Sequence, residues 1–220
     1  MNLRAVRSFV RRAGRQTPAQ QRALTELWPR YGVAADTGLI DFAMLFGRGA
    51  PITIEIGFGN GDHLAARALA EPERNFLGVE VHLPGIGHLL RAAAAANLAN
   101  LRVVEQDAVL LLRERIATDA LDEIQILFPD PWPKKRHHKR RLIQPDFALL
   151  VASRLRRGGH LHVATDWEPY AQQMRVVLDD CPLLATVTDA RLVERAMTRF
   201  EQRGLRLGHC VCDLTYERVR

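Results

Sequence analysis

Cysteine is scarce in this chain, and lysine scarcer than its charge would suggest. The three cysteines (Cys181, Cys210, Cys212) are too few, and odd in number, for a disulfide framework. Cys210 and Cys212 alternate within an apolar run, which predicts two small apolar side chains on one face of a strand. No apolar run reaches the roughly 18 residues of a spanning helix, so a membrane protein is not expected. The opening MNLRAVRSFVRRAGR is basic but has neither the apolar stretch nor the small-residue cleavage site of a secretory signal. Internal repeats are missing too, and the alanine-rich tract 91–97 is short enough to be ordinary helix. What remains is a reduced, cytoplasmic protein of 220 residues, 47% apolar and 25% charged, close to a globular average. That length supports one domain with at most a short appendage.

The charge is concentrated. Residues 1–30 hold seven arginines and one acid (Glu26), a net of +6, and KKRHHKRR (134–141) holds six Lys/Arg and no acid. The whole chain is only +6, which leaves −6 on the other 182 residues. All three lysines (Lys134, Lys135, Lys139) fall inside the second run. Two basic segments on an acidic body suggest a polyanion held at defined places, with affinity that falls steeply with salt.

Residues 1–30 read as a basic arm followed by a helix after Pro18 that stops at Trp28-Pro29, and 31–220 as the main domain. From Ile52 short apolar runs alternate with amphipathic stretches. Strands are predicted at 52–56, 75–81, 101–105, 121–128 and 160–165, and two more near 183–188 and 209–217. Helices fall between them, one over 146–157 ending at Gly158-Gly159. This alternation predicts an α/β fold, a doubly wound, mostly parallel, seven-stranded Rossmann-like sheet. Ligands of such sheets sit outside the carboxyl ends of the strands, so the residues at each strand exit carry the functional argument.

After the first strand comes Gly57-Phe58-Gly59-Asn60-Gly61, a turn whose backbone can approach a ligand closely. The third glycine of a dinucleotide fingerprint would stand at position 62, which is Asp62. Glu55 ends the first strand, Glu80 ends the second, and Asp107, followed by Ala108, stands just past the third. Glu80 lies about 20 residues beyond the turn, the interval at which a carboxylate accepts from ribose hydroxyls. Glu55 would repel a pyrophosphate but suits an ammonium group, and Asp107 can accept from an adenine amine. An amino-acid cation, a ribose diol and an adenine amine together describe S-adenosylmethionine.

Past the fourth strand, Pro129-Asp130-Pro131-Trp132-Pro133 stiffens the backbone around one carboxylate and one indole, and the basic run begins at once. His137 and His138 sit in that run with no carboxylate or thiol nearby in sequence, so they read as RNA-facing or solvated, and no metal is expected. His63, His82 and His88 have no partner that sequence can name.

Together IEIGFGNGDHL, FLGVEVH, FPDPWPKKRHHKRRL, HVATDWEPYA and TRFEQRGLRLGHCVCDLTYER resemble the bacterial tRNA (guanine-N7-)-methyltransferase family, from about residue 8 to residue 218. The resemblance implies that Glu55, Gly57, Phe58, Gly59, Glu80, Asp107, Ala108 and Asp130 surround S-adenosylmethionine, with Asp130 the active-site acid. It implies that Lys134, Asp166, Thr198, Arg199, Phe200 and Glu201 contact the substrate. Arg136, His137, His138, Lys139, Arg140 and Arg141 would meet RNA. The expected substrate is a variable-loop guanosine of tRNA. Asp166 or Glu201 would accept from its Watson–Crick edge, and Trp132 or Phe200 would stack on it. No obligate protein partner is implied, and the chain would be a monomer or homodimer. The competing expectation is a small-molecule methyltransferase of the same fold.

Overall fold

The computed structural model describes residues 15–34, 38–188, 198, 201 and 210–220. Seven strands form one sheet: β1 (Ile52–Ile56), β2 (Asn75–Glu80), β3 (Leu101–Glu105), β4 (Leu121–Leu127), β5 (Leu155–Thr165), β6 (Leu184–Thr186) and β7 (Cys212–Arg218). Their order is β3-β2-β1-β4-β5-β7-β6. β3 through β5 pair in parallel, and β7 runs antiparallel to both β5 and β6. Parallel neighbours require crossovers, supplied by α4 (Asp62–Ala70), α5 (Leu83–Ala95), α6 (Ala108–Glu114) and α7 (Pro145–Arg154). Among the described residues, three short helices precede the sheet, α1 (Pro18–Glu26), α2 (Trp28–Tyr31) and α3 (Phe42–Phe46), and α8 (Glu168–Asp179) follows β5.

Because successive side chains of a strand point to opposite faces, the apolar strands feed two cores. Phe76, Leu101 and Val103 pack with Leu64, Ile86, Leu89 and Leu90 of α4 and α5. Ile54, Ile56, Leu77, Val79 and Val104 pack with residues of α6, α7 and α8, among them Leu111, Val151 and Met174. The helix that follows the basic arm packs on the domain. Ala23 and Tyr31 are part of the first core, Gln20 Nε2 donates to Pro84 O (3.0 Å), and Tyr31 Oη donates to Ala93 O (3.2 Å). The arm proper, 1–14, lies outside the described residues.

Two local expectations are corrected. α7 ends at Arg154 rather than at the Gly158-Gly159 pair. The glycines sit inside β5 at an irregularity, where the pairing jumps from Leu121↔Leu155 to Glu123↔His160. Gly158 has φ 72°, and a Cβ on Gly159 would come within 3.1 Å of the Asp122 and Leu121 carbonyl oxygens, so the bulge and a helix cap ask for the same residue. Cys212 begins β7 and is half-buried, but Cys210 precedes the strand and is exposed, so the two thiols do not share a strand face.

Candidate functional site

The carboxyl ends of β1, β2 and β4 open onto two cavities that share Gly57, Leu127 and Phe128. The larger, about 240 Å³, is walled by Gly57, Glu80, Val81, Gln106, Ala108, Pro129 and Asp130, among others. The smaller, about 160 Å³, includes Glu55, Gly59, Asn60, Asp62, His63 and Thr198. Gly57, Gly59 and Gly61 all have positive φ (73°, 58° and 76°), the left-handed region that glycine enters without strain. A Cβ at Gly57 or Gly59 would meet nothing within 4 Å, so the turn presents bare backbone to open space. Gly85 on α5 lets that helix lie against the turn, since a Cβ there would stand 2.0 Å from Gly59 O.

Glu80 holds the turn. Its Oε2 accepts from Gly59 N (3.0 Å), while Oε1 accepts from Val81 N (2.6 Å) and His82 N (3.0 Å). Glu55, 3% exposed, accepts from His63 Nδ1 at 3.0 Å, and His63 Nε2 is buried without a hydrogen-bond partner among the described residues. Sequence named no partner for His63, which stands eight positions away on α4.

Asp107 caps a helix beside the larger cavity, and Phe58 lines the smaller one. Asp107 Oδ1 accepts from Val109 N (2.8 Å) as the N-cap of α6, and its neighbours Gln106 and Ala108 line the cavity instead. The Phe58 ring packs into the core with Leu64 and Phe76 and is 7% exposed.

Asp130 is exposed at the cavity edge, on the loop leaving β4. Phe128 and Trp132, on either side of it, have φ of 54° and 44°, strained values for side-chain-bearing residues. The basic run then coils into a short 3-10 helix (Lys135–Arg140) capped by Lys134. Lys134, Lys135, Arg136 and Lys139 are exposed. Arg140 stacks over the Trp132 ring (4.9 Å), and His137 meets that ring edge-on at 5.8 Å. Desolvation, reinforced by Arg136, Arg140, Lys134 and Lys139, holds the His137 imidazole below its ordinary pKa.

Arg141 corrects the expectation that the whole run meets RNA. It is 3% exposed, and its guanidinium turns inward. Nε donates to Pro131 O (2.8 Å), Nη1 donates to Gln173 Oε1 (2.6 Å) and Pro169 O (3.4 Å), and the group lies 4.8 Å from the Tyr170 ring centre. Tyr170 is buried and its Oη accepts from Ile143 N; burial, with a contribution from the Asp130 charge, pushes its phenol up to about 12.

Asp166 follows β5 directly and is half-buried, but does not line either cavity. Thr198 and Glu201 make the reciprocal bonds of a capping box: Glu201 N donates to Thr198 Oγ1 (3.0 Å) and Thr198 N donates to Glu201 Oε2 (3.2 Å). Glu201 is 7% exposed, and Thr198 reaches the smaller cavity. Arg199 and Phe200 lie outside the described residues.

The residues present fit S-adenosylmethionine. The bare turn, Glu80, Gln106 and Ala108 form one chamber, the buried Glu55 carboxylate faces the second, and both acids suit a cation rather than a phosphate.

The comparisons agree with that geometry. The family model described as "Putative methyltransferase" matches residues 49–214. A tRNA (guanine-N(7)-)-methyltransferase of Halorhodospira halophila is 53% identical over 219 residues, covering 97% of this chain and 95% of the relative. Its counterpart from Nitrosococcus oceani is 50% identical over 216 residues, covering 98% and 92%. Among solved structures, the 16S rRNA methyltransferase KamB superposes with a TM-score of 0.54 at 15% identity, covering 96% of this chain and 97% of that one. TrmN from Thermus thermophilus gives 0.55 at 17%, covering 91% of this chain and 48% of that one. Those two likenesses speak to the fold, a class I methyltransferase sheet. At half identity over nearly its whole length, the chain belongs to the tRNA (guanine-N7-)-methyltransferase family.

Proposed function

We propose that this chain transfers the methyl group of S-adenosylmethionine to N7 of a guanosine in tRNA, with Asp130 facing the charge that forms on the base. The observation that carries the reading is the loop after β4. It bears Asp130 on the wall of the larger cavity and runs without a break into the exposed cations Lys134, Lys135, Arg136 and Lys139. Glu55, Gly57, Gly59, Glu80 and Ala108 would hold the cofactor, and Asp107 would act through its cap on α6. Bound there, the cofactor supplies a methyl group carried on a positively charged sulfur.

Guanine N7 has an in-plane lone pair and is unprotonated at neutral pH, so none of the acids has to remove a proton. Positive charge develops on the imidazole ring of the base, and the fixed Asp130 carboxylate stabilises it. The strained loop and the glycine turn hold their groups still, which favours a near-attack arrangement. Asp166 and the Thr198–Glu201 pair accept from the donors of the guanine edge, and the base leaves its stack to reach them. Exposed lysines and Arg136 contact phosphates beside the cavity. A small-molecule substrate would leave that cationic surface without a role. Such an enzyme works where tRNA is, in the cytoplasm.

The test combines a product assay with one variant. With a tritiated methyl donor and bulk tRNA, label should enter RNA, and borohydride and aniline treatment should cut the product at one guanosine. Asp130→Asn keeps the shape and removes the charge. It should lower kcat by about 10²–10³, the usual effect of deleting a group aimed at transition-state charge. Cofactor affinity by calorimetry should stay within about tenfold, less than one charge-assisted hydrogen bond. Wild-type turnover in that variant would remove Asp130 from the chemistry.

A further inference from the structure

We infer that Arg141 is a positioning residue for methyl transfer: its buried guanidinium ties the proline loop to α8 and so fixes where the Asp130 carboxylate stands. The inference rests on the reading of Asp130 given above.

The basic run divides by burial, with Lys134, Lys135, Arg136 and Lys139 exposed and Arg141 at 3%. The loop 129–133 cannot brace itself well, because three of its five residues are prolines without an N–H. A carbonyl there needs a donor from elsewhere, and the carbonyl immediately after Asp130, Pro131 O, receives it from Arg141 Nε at 2.8 Å. A charged donor makes that bond stronger and more directional than a neutral one. The other end of the guanidinium is anchored by Gln173 Oε1 and Pro169 O on α8, and its plane rests on the Tyr170 ring. Gln173 in turn donates to Ile143 O, and Tyr170 Oη accepts from Ile143 N, so the segment leaving the basic helix is pinned to the same cluster. Phe128 and Trp132 hold left-handed φ values on either side of Asp130, a conformation that persists only when surroundings impose it. Lysine cannot replace Arg141: an ammonium has no planar fork to reach Pro131 and Gln173 while stacking on Tyr170.

The experiment uses the full chain and tRNA under single-turnover conditions. Arg141→Lys keeps the charge and breaks the fork. Methyl transfer should slow by about 30-fold or more, in line with the sensitivity of oriented reactions to small misplacements. Cofactor affinity and the salt slope of tRNA binding should hold, because the removed fork touches neither cofactor nor phosphate. In an Asp130→Asn background the same substitution should cost no more than about threefold, because residues acting through one another are not additive. In Arg141→Gln, which removes the charge, an unchanged rate with a salt slope flattened by about one would make Arg141 a phosphate contact and overturn the inference. Equal losses in both backgrounds would also overturn it, since Arg141 would then not act through Asp130. Should Arg141→Lys fail to fold, Gln173→Leu removes one anchor and leaves the Pro131 bond. It should slow transfer by a smaller factor with the same loss of effect in the Asp130→Asn background, and full activity there counts against the inference. Asp130→Asn alone, measured in the same series, separates the two readings: no loss there sinks the role of Asp130, whereas loss there with none at Arg141 sinks only the positioning role.

Discussion

A carboxylate as buried as Glu55 must be met by a donor, and His63 Nδ1 supplies one at 3.0 Å beside the smaller cavity. The remaining capacity of that carboxylate suits the ammonium of an amino-acid moiety. Glu55→Gln removes the charge and keeps the shape. It should weaken S-adenosylmethionine binding by about 10–100-fold, the size of one charge-assisted hydrogen bond. Calorimetry with the purified variant checks this, and an unchanged Kd would assign Glu55 to folding alone. Residues at strand exits were legible because the topology of a parallel sheet sends Glu55, Glu80 and Asp130 to one edge whatever their partners. The partners were not legible. His63 is on the next helix, and nothing in spacing says that its ring turns back to β1. Arg141 was hidden in another way: in a run of eight residues with no acid, like charges look equivalent, and two turns of 3-10 helix are too short for a periodicity that would single out the inward member.

The turn between β1 and α4 is the element on which the cavities depend, and Gly61 is its hinge into the helix. It caps α4 with φ 76°, and an added Cβ would lie 2.8 Å from Leu89 atoms of α5. Gly61→Ala therefore combines backbone strain with a collision against a buried side chain. Stability should fall by about 1–3 kcal/mol, read as a lower urea midpoint at unchanged slope. A midpoint equal to wild type would mean that α5 yields freely, and the packing argument would fail. Elements of this kind were read well where one signal dominated: β1 and β3 stand where the apolar runs put them. They were misread where one residue serves two purposes. Gly158-Gly159 satisfies a helix cap and a bulge equally, and only the pairing of β5 with β4 decides between them. Likewise T-x-x-E at 198–201 has the spacing of a capping box, a purely local signal that could have been taken from sequence.

Across the molecule, the decisive feature is that a cationic surface lies beside the cavities while the chain outside its two basic segments is mildly acidic. An acidic body repels RNA, so binding must be carried by the few cations that face outward, and each phosphate contact releases counterions. Lys135, Arg136 and Lys139 are exposed on the 3-10 helix, whereas His137, held below its ordinary pKa, adds little charge at neutral pH. Changing those three to alanine should lower the slope of log K against log salt by about 2–3, at roughly 0.7–0.9 per contact. Cofactor affinity should be untouched, because the cavities are built from other residues. Filter binding of tRNA between low and physiological salt measures the slope, with Arg141→Gln, which removes the inward charge, as the internal contrast. If the inward arginine changes the slope and the three outward cations do not, the division of the basic run into a phosphate-facing part and a loop-bracing part is wrong.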